Sequence, residues 1–499
     1  MAEIILFQPK CGDWDIMGLK SPAGLLNVAS VPVDLGYDVV LIDQRISEDW
    51  KEEIKKHLHS AKIFGITIMA GKQIGYVLEI VKFVKLLKPE ILMVLGGTWA
   101  QTRPDLCIED ENIDVVCYGE GDYLLPELMD YLKDKKKIKS ILGIFYKERG
   151  KIKKNGPKPL IKNLDNLPKI PYHLIDPKNY TALEFRPGNQ SISLILSRGC
   201  PFRCTFCSVS RFFNRKWRGY SVKRAIENLE FLEKTYDIKD FYFHDDNMAG
   251  NPRFFSEFVK TLADLKKDYN WGTAGIRADV ILKFDEETMK NIVRSGCKNL
   301  DVGVESGNPR ILKFIKKDEG LDTIRKANRK LSKYPLIIKY SFMGGFPTET
   351  KSEFLDTLKF KRILEKENSH AVGPIFFYTP FPATDMFDIA IEKGFRPPKN
   401  LKDWADFNYH TWYKKYPSWL TEDMKTLVEN SVFLSYFDNK NLSYKYPNPI
   451  MNLMFRIYHP VAKFRSINHF YGLFVEKKLA NLIMKINEKK NLLIKPKNK

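Results

Sequence analysis

Short apolar runs alternate with amphipathic segments along the first ~135 residues. EIILFQP, DVVLIDQ, IFGITIM, ILMVLGG and IDVVCYGEG read as strands, while GLLNVASVPVDLG, WKEEIKKHLHSA and YVLEIVKFVKLLKP carry the three- and four-residue apolar spacing of helices. Strands that are apolar on both faces suit a parallel sheet with helices on either side, so the expectation for residues 1–135 is an α/β, Rossmann-like doubly wound domain. Residues 136–190, rich in Lys, Pro and Asn, read as a linker. A second alternating series opens at SLILSRG and continues through DFYFHDD, WGTAGIRAD, NLDVGVES, LIIKYSFMGGF and AVGPIFFYTPF. About six strand–helix units are too few to close an eightfold barrel, which predicts a partial (β/α)6 barrel over 191–390 with its functional residues at the strand carboxyl ends. Residues 391–499 read as a mainly helical C-terminal domain.

In the N-terminal sheet, the strand ends carry Gly96-Gly97 and Gly119-Glu120-Gly121. Glycines there let backbone approach a ligand closely, and equally make tight strand-to-helix turns. No GxGxxG follows the first strand, which argues against a dinucleotide fold. No apolar run nears the roughly 20 residues that span a bilayer, and MAEIILFQPK lacks the features of a signal peptide, so a cytoplasmic location is expected. The formal charge is +20, from 81 Lys+Arg against 61 Asp+Glu. That excess suits an anionic surface such as nucleic acid, headgroups or acidic substrates, or simply a solvated Lys-rich exterior. No RNA-recognition signature accompanies it, which disfavours a non-catalytic RNA-binding protein and nucleic acid as a partner.

Of seven cysteines, Cys11, Cys107, Cys117 and Cys297 are scattered, whereas Cys200, Cys204 and Cys207 crowd into SRGCPFRCTFCSVS just after the first strand of the second series. An odd number argues against a disulfide framework. Zinc would want a fourth Cys or His at a convincing distance, and His244 belongs to another strand end. Three thiolates on one loop suit a 4Fe-4S cluster with one iron left for another ligand.

At CPFRCTFC, with Phe206 before the third cysteine, the chain resembles the radical S-adenosylmethionine (SAM) enzymes. YFHDDNMAGN (242–251) and GVESG (303–307) resemble two further strand-end motifs of that family, as do FMGGFPTET (342–350) and FPAT (381–384), the last with Ala383 where the family usually has Gly. The resemblance implies SAM on the cluster's open iron and across the barrel mouth, with Phe206 near the adenine and Asp246 and Glu305 among its polar contacts. It also implies an electron donor of the ferredoxin or flavodoxin type. A sheet domain upstream with SPAGLLNVASVPVDLG, GGTW and VCYGEGD is similar to the cobalamin-binding domain of this family's largest branch. There Gly96, Gly97, Gly119, Glu120 and Gly121 would face the cofactor, and the loop at Met69 and Ala70 would lie under the cobalt. No DxHxxG segment supplies an axial histidine, His57 and His59 lie on a Lys-rich helix, and Trp99 stands where many relatives have His.

The implied activity is C-methylation of an unactivated carbon, with radical cyclisation, rearrangement or carbon–carbon coupling as the alternative. A tRNA-modifying role would call for extra cluster cysteines, and Cys11, Cys107 and Cys117 match them weakly. The aromatic, basic C-terminus, with eight Lys and one acid from Lys477 onward, either packs on the barrel or lies on anionic headgroups. It tilts the expected small-molecule substrate toward a hydrophobic or lipid-like one, with peripheral membrane contact.

Overall fold

The computed structural model describes residues 2–472 except 13, 14, 16–18, 182–188, 410 and 446–448. The N-terminal sheet contains β1 (Ile4–Gln8), β2 (Val39–Asp43), β3 (Ile63–Thr67), β4 (Leu92–Gly96), β5 (Val115–Cys117), β6 (Ile144–Glu148) and β7 (Lys151–Lys154). Their spatial order is β2-β1-β3-β4-β5-β6-β7. The first five are parallel. Alternate side chains feed two cores, as strands buried on both faces must. Ile5, Phe7, Phe64 and Ile66 pack with helix Gln73–Leu87, and Ile4, Leu6 and Ile63 with helix Leu124–Leu132. The strand order reverses between β1 and β3, and a doubly wound sheet opens its ligand crevice at the carboxyl ends of such strands.

Strands β6 and β7 run antiparallel at the sheet's edge. The boundary expected at residue 135 is therefore too early, and the connector begins only after Lys154. The sequence hid β7 because its four residues, KIKK, are all exposed, so no apolar alternation marks it.

The second sheet is the expected open barrel. Its strands are β8 (Ile192–Leu194), then the short pair β9 (Ser197–Arg198) and β10 (Arg218–Gly219), followed by β11 (Asp240–Phe243), β12 (Asn270–Ile276), β13 (Cys297–Glu305), β14 (Ile337–Gly344), β15 (Ala371–Val372) and β16 (Ile375–Phe377). β8, β11, β12, β13 and β14 pair in that order, all parallel, and β15 and β16 both pair with β14 as one interrupted sixth strand. Leu300, Val302, Val304, Ile338, Tyr340 and Phe342 point into the core shared with the helices. The alternate positions Asp301, Gly303, Glu305, Lys339, Ser341 and Met343 therefore face the lumen. Two strand ends use the same device to turn into a helix. Asn251 and Asn308 each accept hydrogen bonds from the next two free amides, and Pro252 and Pro309 take the first helical position.

Helix Glu422–Ser435 packs on β16, where the Ser435 hydroxyl accepts from the Ile375 amide at 3.1 Å, which closes the barrel's open side. Aromatic residues before it form a column: Trp99–Trp404 and Trp404–Phe407 centroids lie 4.7 Å apart, Phe407–Trp412 5.9 Å and Trp412–Trp419 5.6 Å. Tyr378 continues it at 5.9 Å from Trp419, then Phe346 at 5.1 Å and Phe206 at 6.3 Å. One end thus lies in the N-terminal domain and the other in the cysteine loop. The basic segment from Lys477 onward lies outside the described residues. No helix among the described residues is long and apolar enough to cross a membrane.

Candidate active site

Cys200, Cys204 and Cys207 lie on the connection between β9 and β10, at the carboxyl end of β8, and none is in a disulfide. The Cys207 amide donates to the Cys204 carbonyl at 3.2 Å, and Asn247 Nδ2 lies 3.5 Å from Cys200 Sγ. Gly199 makes the entry possible: its φ is +85°, and a Cβ there would strike the Lys216 carbonyl. Burial raises the Cys207 thiol to about 12. It raises Cys204 as well, opposed by the nearby Lys317 ammonium. Metal binding at this loop therefore releases protons. No three His, Cys, Asp or Glu side chains among the described residues close on one metal ion. Cys107, Cys117 and Cys297 are buried in the cores, and Cys11 lies 3.1 Å from Gln73 Nε2 beyond β1.

The Asp-Asp pair after β11 anchors the strand entering this loop. Asp245 accepts from the Ser197 hydroxyl at 2.5 Å and the Leu196 amide, and burial pushes its carboxyl up to about 7. Asp246 accepts from the Gly199 amide at 2.8 Å. It reaches solvent from a crowded recess, which raises its carboxyl above the ordinary range.

Glu305 ends β13 at φ +69°, beyond a register shift, with its carboxylate 3.2 Å from Lys317 Nζ. Gly303 leaves the space that carboxylate and Lys317 occupy, since a Cβ there would displace both side-chain ends. Lys317 is buried, which works against its charge, but Glu305 and Glu319 more than offset this and its pKa is raised. Glu319 and Arg277 complete the group at 3.7 Å, and the Arg277 guanidinium lies 3.8 Å above the Phe202 ring. The loop Gly345–Glu349 closes the mouth. Glu349 Oε2 accepts from the Gly345 and Phe346 amides at 2.6 and 3.2 Å, its other oxygen is buried without a partner, and burial lifts the carboxyl to about 8.

Next to the cysteine loop stands the carboxyl edge of the N-terminal sheet, joined to it through Arg198. Gly97 has φ +99°, and a Cβ would meet Thr67 Oγ1 and the Ile68 backbone within 2.6–2.9 Å, whereas a Cβ on Gly96 would enter open space. Met69 and Ala70 are half-buried beyond β3, held by the Met69 amide donating to Gln73 Oε1 at 2.7 Å. A Cβ on Gly119 would lie 3.8 Å from Lys158, and one on Gly121 3.5 Å from Val28 and 3.7 Å from Cys117 Sγ. Trp99 is buried against Trp404, which accounts for an indole at that position. His57 and His59 belong to the sheet's opposite edge, where their carbonyls accept from Ser60 and Lys88.

Glu120, expected to face the cofactor, is engaged by two arginines. Its carboxylate accepts from Arg218 Nη1 and Nη2, both at 2.9 Å, from Arg198 Nη1 at 3.2 Å and from the Ile161 amide at 2.7 Å. Arg198 also forms a two-pronged pair with Asp122 at 2.8 Å and 2.8 Å. This buried junction, two residues before Cys200, ties the loop after β5 to the cluster loop. Sequence reasoning missed Asp122, Arg198, Arg218, Lys317 and Arg277. No local pattern exposes them, because their partners lie far along the chain or are read there as ordinary surface charge.

A three-cysteine loop at the mouth of an open six-stranded barrel, facing the carboxyl edge of a doubly wound sheet, defines a metallocofactor enzyme with a second cofactor domain. The comparisons make this specific. The Radical SAM superfamily pattern matches residues 194–360, and the B12 binding domain pattern matches residues 16–129. An uncharacterized methyltransferase of Pyrococcus horikoshii is 33% identical over 377 residues, 74% of this chain and 78% of that protein. An anaerobic magnesium-protoporphyrin IX monomethyl ester cyclase of Synechocystis is 25% identical over 378 residues, 74% of this chain and 73% of its own length. The cobalamin-dependent SAM radical enzyme OxsB, solved with aqua-cobalamin and SAM, shares the fold at TM-score 0.69 and 16% identity, over 99% of this chain and 76% of its own. The chain belongs to the radical SAM enzymes that carry a cobalamin-binding domain. Its cofactors are a 4Fe-4S cluster, SAM and cobalamin. The residues present fit them: a loop of three thiols free of disulfides at the barrel mouth, and open space beside Gly96 at the sheet's carboxyl edge.

Proposed function

We propose that this enzyme methylates an unactivated carbon of a hydrophobic organic substrate held in the cleft between the two domains. When bound, the cluster and SAM supply a hydrogen-abstracting radical and cobalamin supplies the methyl group. The chain's own residues hold and orient these partners. Cys200, Cys204 and Cys207 hold the cluster. Asp246 and Glu305 offer acceptors to the ammonium and ribose hydroxyls of SAM, and Phe206 lies beside the adenine. Gly96 and Gly97 would leave room for the corrin tail, and Met69 and Ala70 would help hold the corrin. Phe206, Phe346 and Met343 form apolar walls that keep water from the reacting carbon. Electrons arrive from a donor of the ferredoxin or flavodoxin type.

The observation that carries this reading is the Arg198–Asp122 junction, which sets the cluster loop directly against the sheet's carboxyl edge. The test is anaerobic reconstitution with iron, sulfide and hydroxocobalamin, followed by mass spectrometry of products formed from lipid and metabolite extracts. The expected result is 5'-deoxyadenosine together with a product 14 mass units heavier, roughly one CH2, and neither with Cys204→Ala. Deoxyadenosine without a transferred methyl would instead favour the second reading, radical cyclisation, which the similarity to the Synechocystis cyclase supports.

A further inference from the structure

Helix Pro449–Ile467 is apolar on two sides. Phe455, Ala462 and Ser466 face inward, where Phe455 joins Val372 and Leu442 and Ser466 Oγ donates to Asp438 Oδ2 at 2.7 Å. On the outside Leu453 is 58% exposed, Ile457 67%, Val461 46% and Phe464 64%. Their spacing of four, four and three residues aligns them in one continuous stripe. Ile467 extends it, also exposed. Water-facing apolar surface of this length on an otherwise well-packed chain marks a docking face.

The charge around it selects the occupant. By helical spacing Arg456 and Lys463 lie on one flank of the stripe and Arg465 on the other. No acidic residue occurs between Asp438 and Glu476. Residues 439–499 hold thirteen Lys and Arg against two acids, more than half of the chain's net +20 in its last eighth. A protein partner matching this face would need an acidic rim around an apolar groove. An anionic bilayer offers both over any length, with headgroups for the cations and acyl chains for Leu, Ile, Val and Phe.

We propose that helix Pro449–Ile467 seats this enzyme on anionic lipid, its stripe buried at the headgroup boundary and its cations on the phosphates. The inference is independent of which radical reaction the site performs. The test uses the full-length, cofactor-loaded protein and co-sedimentation with vesicles of phosphatidylcholine alone or mixed equally with phosphatidylglycerol. The wild type is expected to bind only the mixed vesicles and to be released as sodium chloride rises. The double variant Ile457→Glu, Phe464→Glu should lose binding by roughly tenfold or more, with unchanged melting temperature and corrin absorbance. Three outcomes would overturn the proposal: no wild-type binding to the mixed vesicles at low salt; equal binding by the variant; or a variant that melts earlier or turns a dimer into a monomer by light scattering. The last outcome would show the stripe covered by residues 473–499 or by a second copy.

Discussion

Asp122→Ala is the sharpest probe of the junction between the two domains. In the native protein Arg198 is mostly shielded, its side chain 12% exposed, and its guanidinium makes two contacts to Asp122 and a third to Glu120. Removing one partner of a buried pair costs about 3–5 kcal/mol, because the remaining charge stays buried without compensation. Glu120 still reaches Arg198 at 3.2 Å, which places the loss at the low end, about 3 kcal/mol. At 1.4 kcal/mol per decade that is roughly a hundredfold rise in the population with the junction open. Hydrogen exchange should register it locally: amides of Gly199 and Ile161, which donate to Asp246 and Glu120, should exchange about a hundred times faster, while β12 and β13 keep their protection. Arg198→Lys should fall in between, since an ammonium cannot make the two-pronged contact. Exchange at both amides within about threefold of wild type would refute the reasoning and reduce the junction to an incidental contact.

Gly97→Ala forces a side chain onto φ +99° and into the Ile68 backbone, so a loss of about 2 kcal/mol or more in urea melts and poor corrin retention after desalting are expected. Trp404→Ala removes an indole packed on both Trp99 and Phe407 and should cost about 3–5 kcal/mol, read as a lower melting temperature. A carboxyl raised to about 8, as Glu349 is, binds its proton more tightly folded than unfolded; its stabilisation is full below the unfolded pKa near 4.5 and lost as pH rises through about 8. Glu349→Gln should flatten that fall in melting temperature between pH 5 and 8, and identical slopes for the two proteins would dismiss the buried proton.

The parts of the architecture visible in the sequence were those written in local periodicity. The two-faced apolar runs gave the parallel strands, and the cysteine spacing gave the cluster loop, because each depends on residues close in the chain. β7 escaped because an edge strand of exposed lysines buries nothing. The pairing of Glu120 was hidden because its partners, Arg198 and Arg218, lie 78 and 98 residues further on. Lys317 was invisible for the same reason: a lysine three residues past the end of the short helix Pro309–Phe314 reads as surface until Glu305 of β13 pairs with it.

The aromatic column bears on the order in which the protein can be made. Trp99 leaves the ribosome roughly 300 residues ahead of Trp404, which at about 5–20 residues per second is a delay of some 15 s to a minute. Throughout that interval the N-terminal domain shows the nascent-chain environment an uncovered indole, and Gly71 and the helical Gly75 still lack Phe407 and Ala405. The C-terminal region is therefore the last piece to arrive and the one that finishes both earlier domains, so a chain truncated before Trp404 is expected to bind chaperones or aggregate rather than yield a working N-terminal fragment.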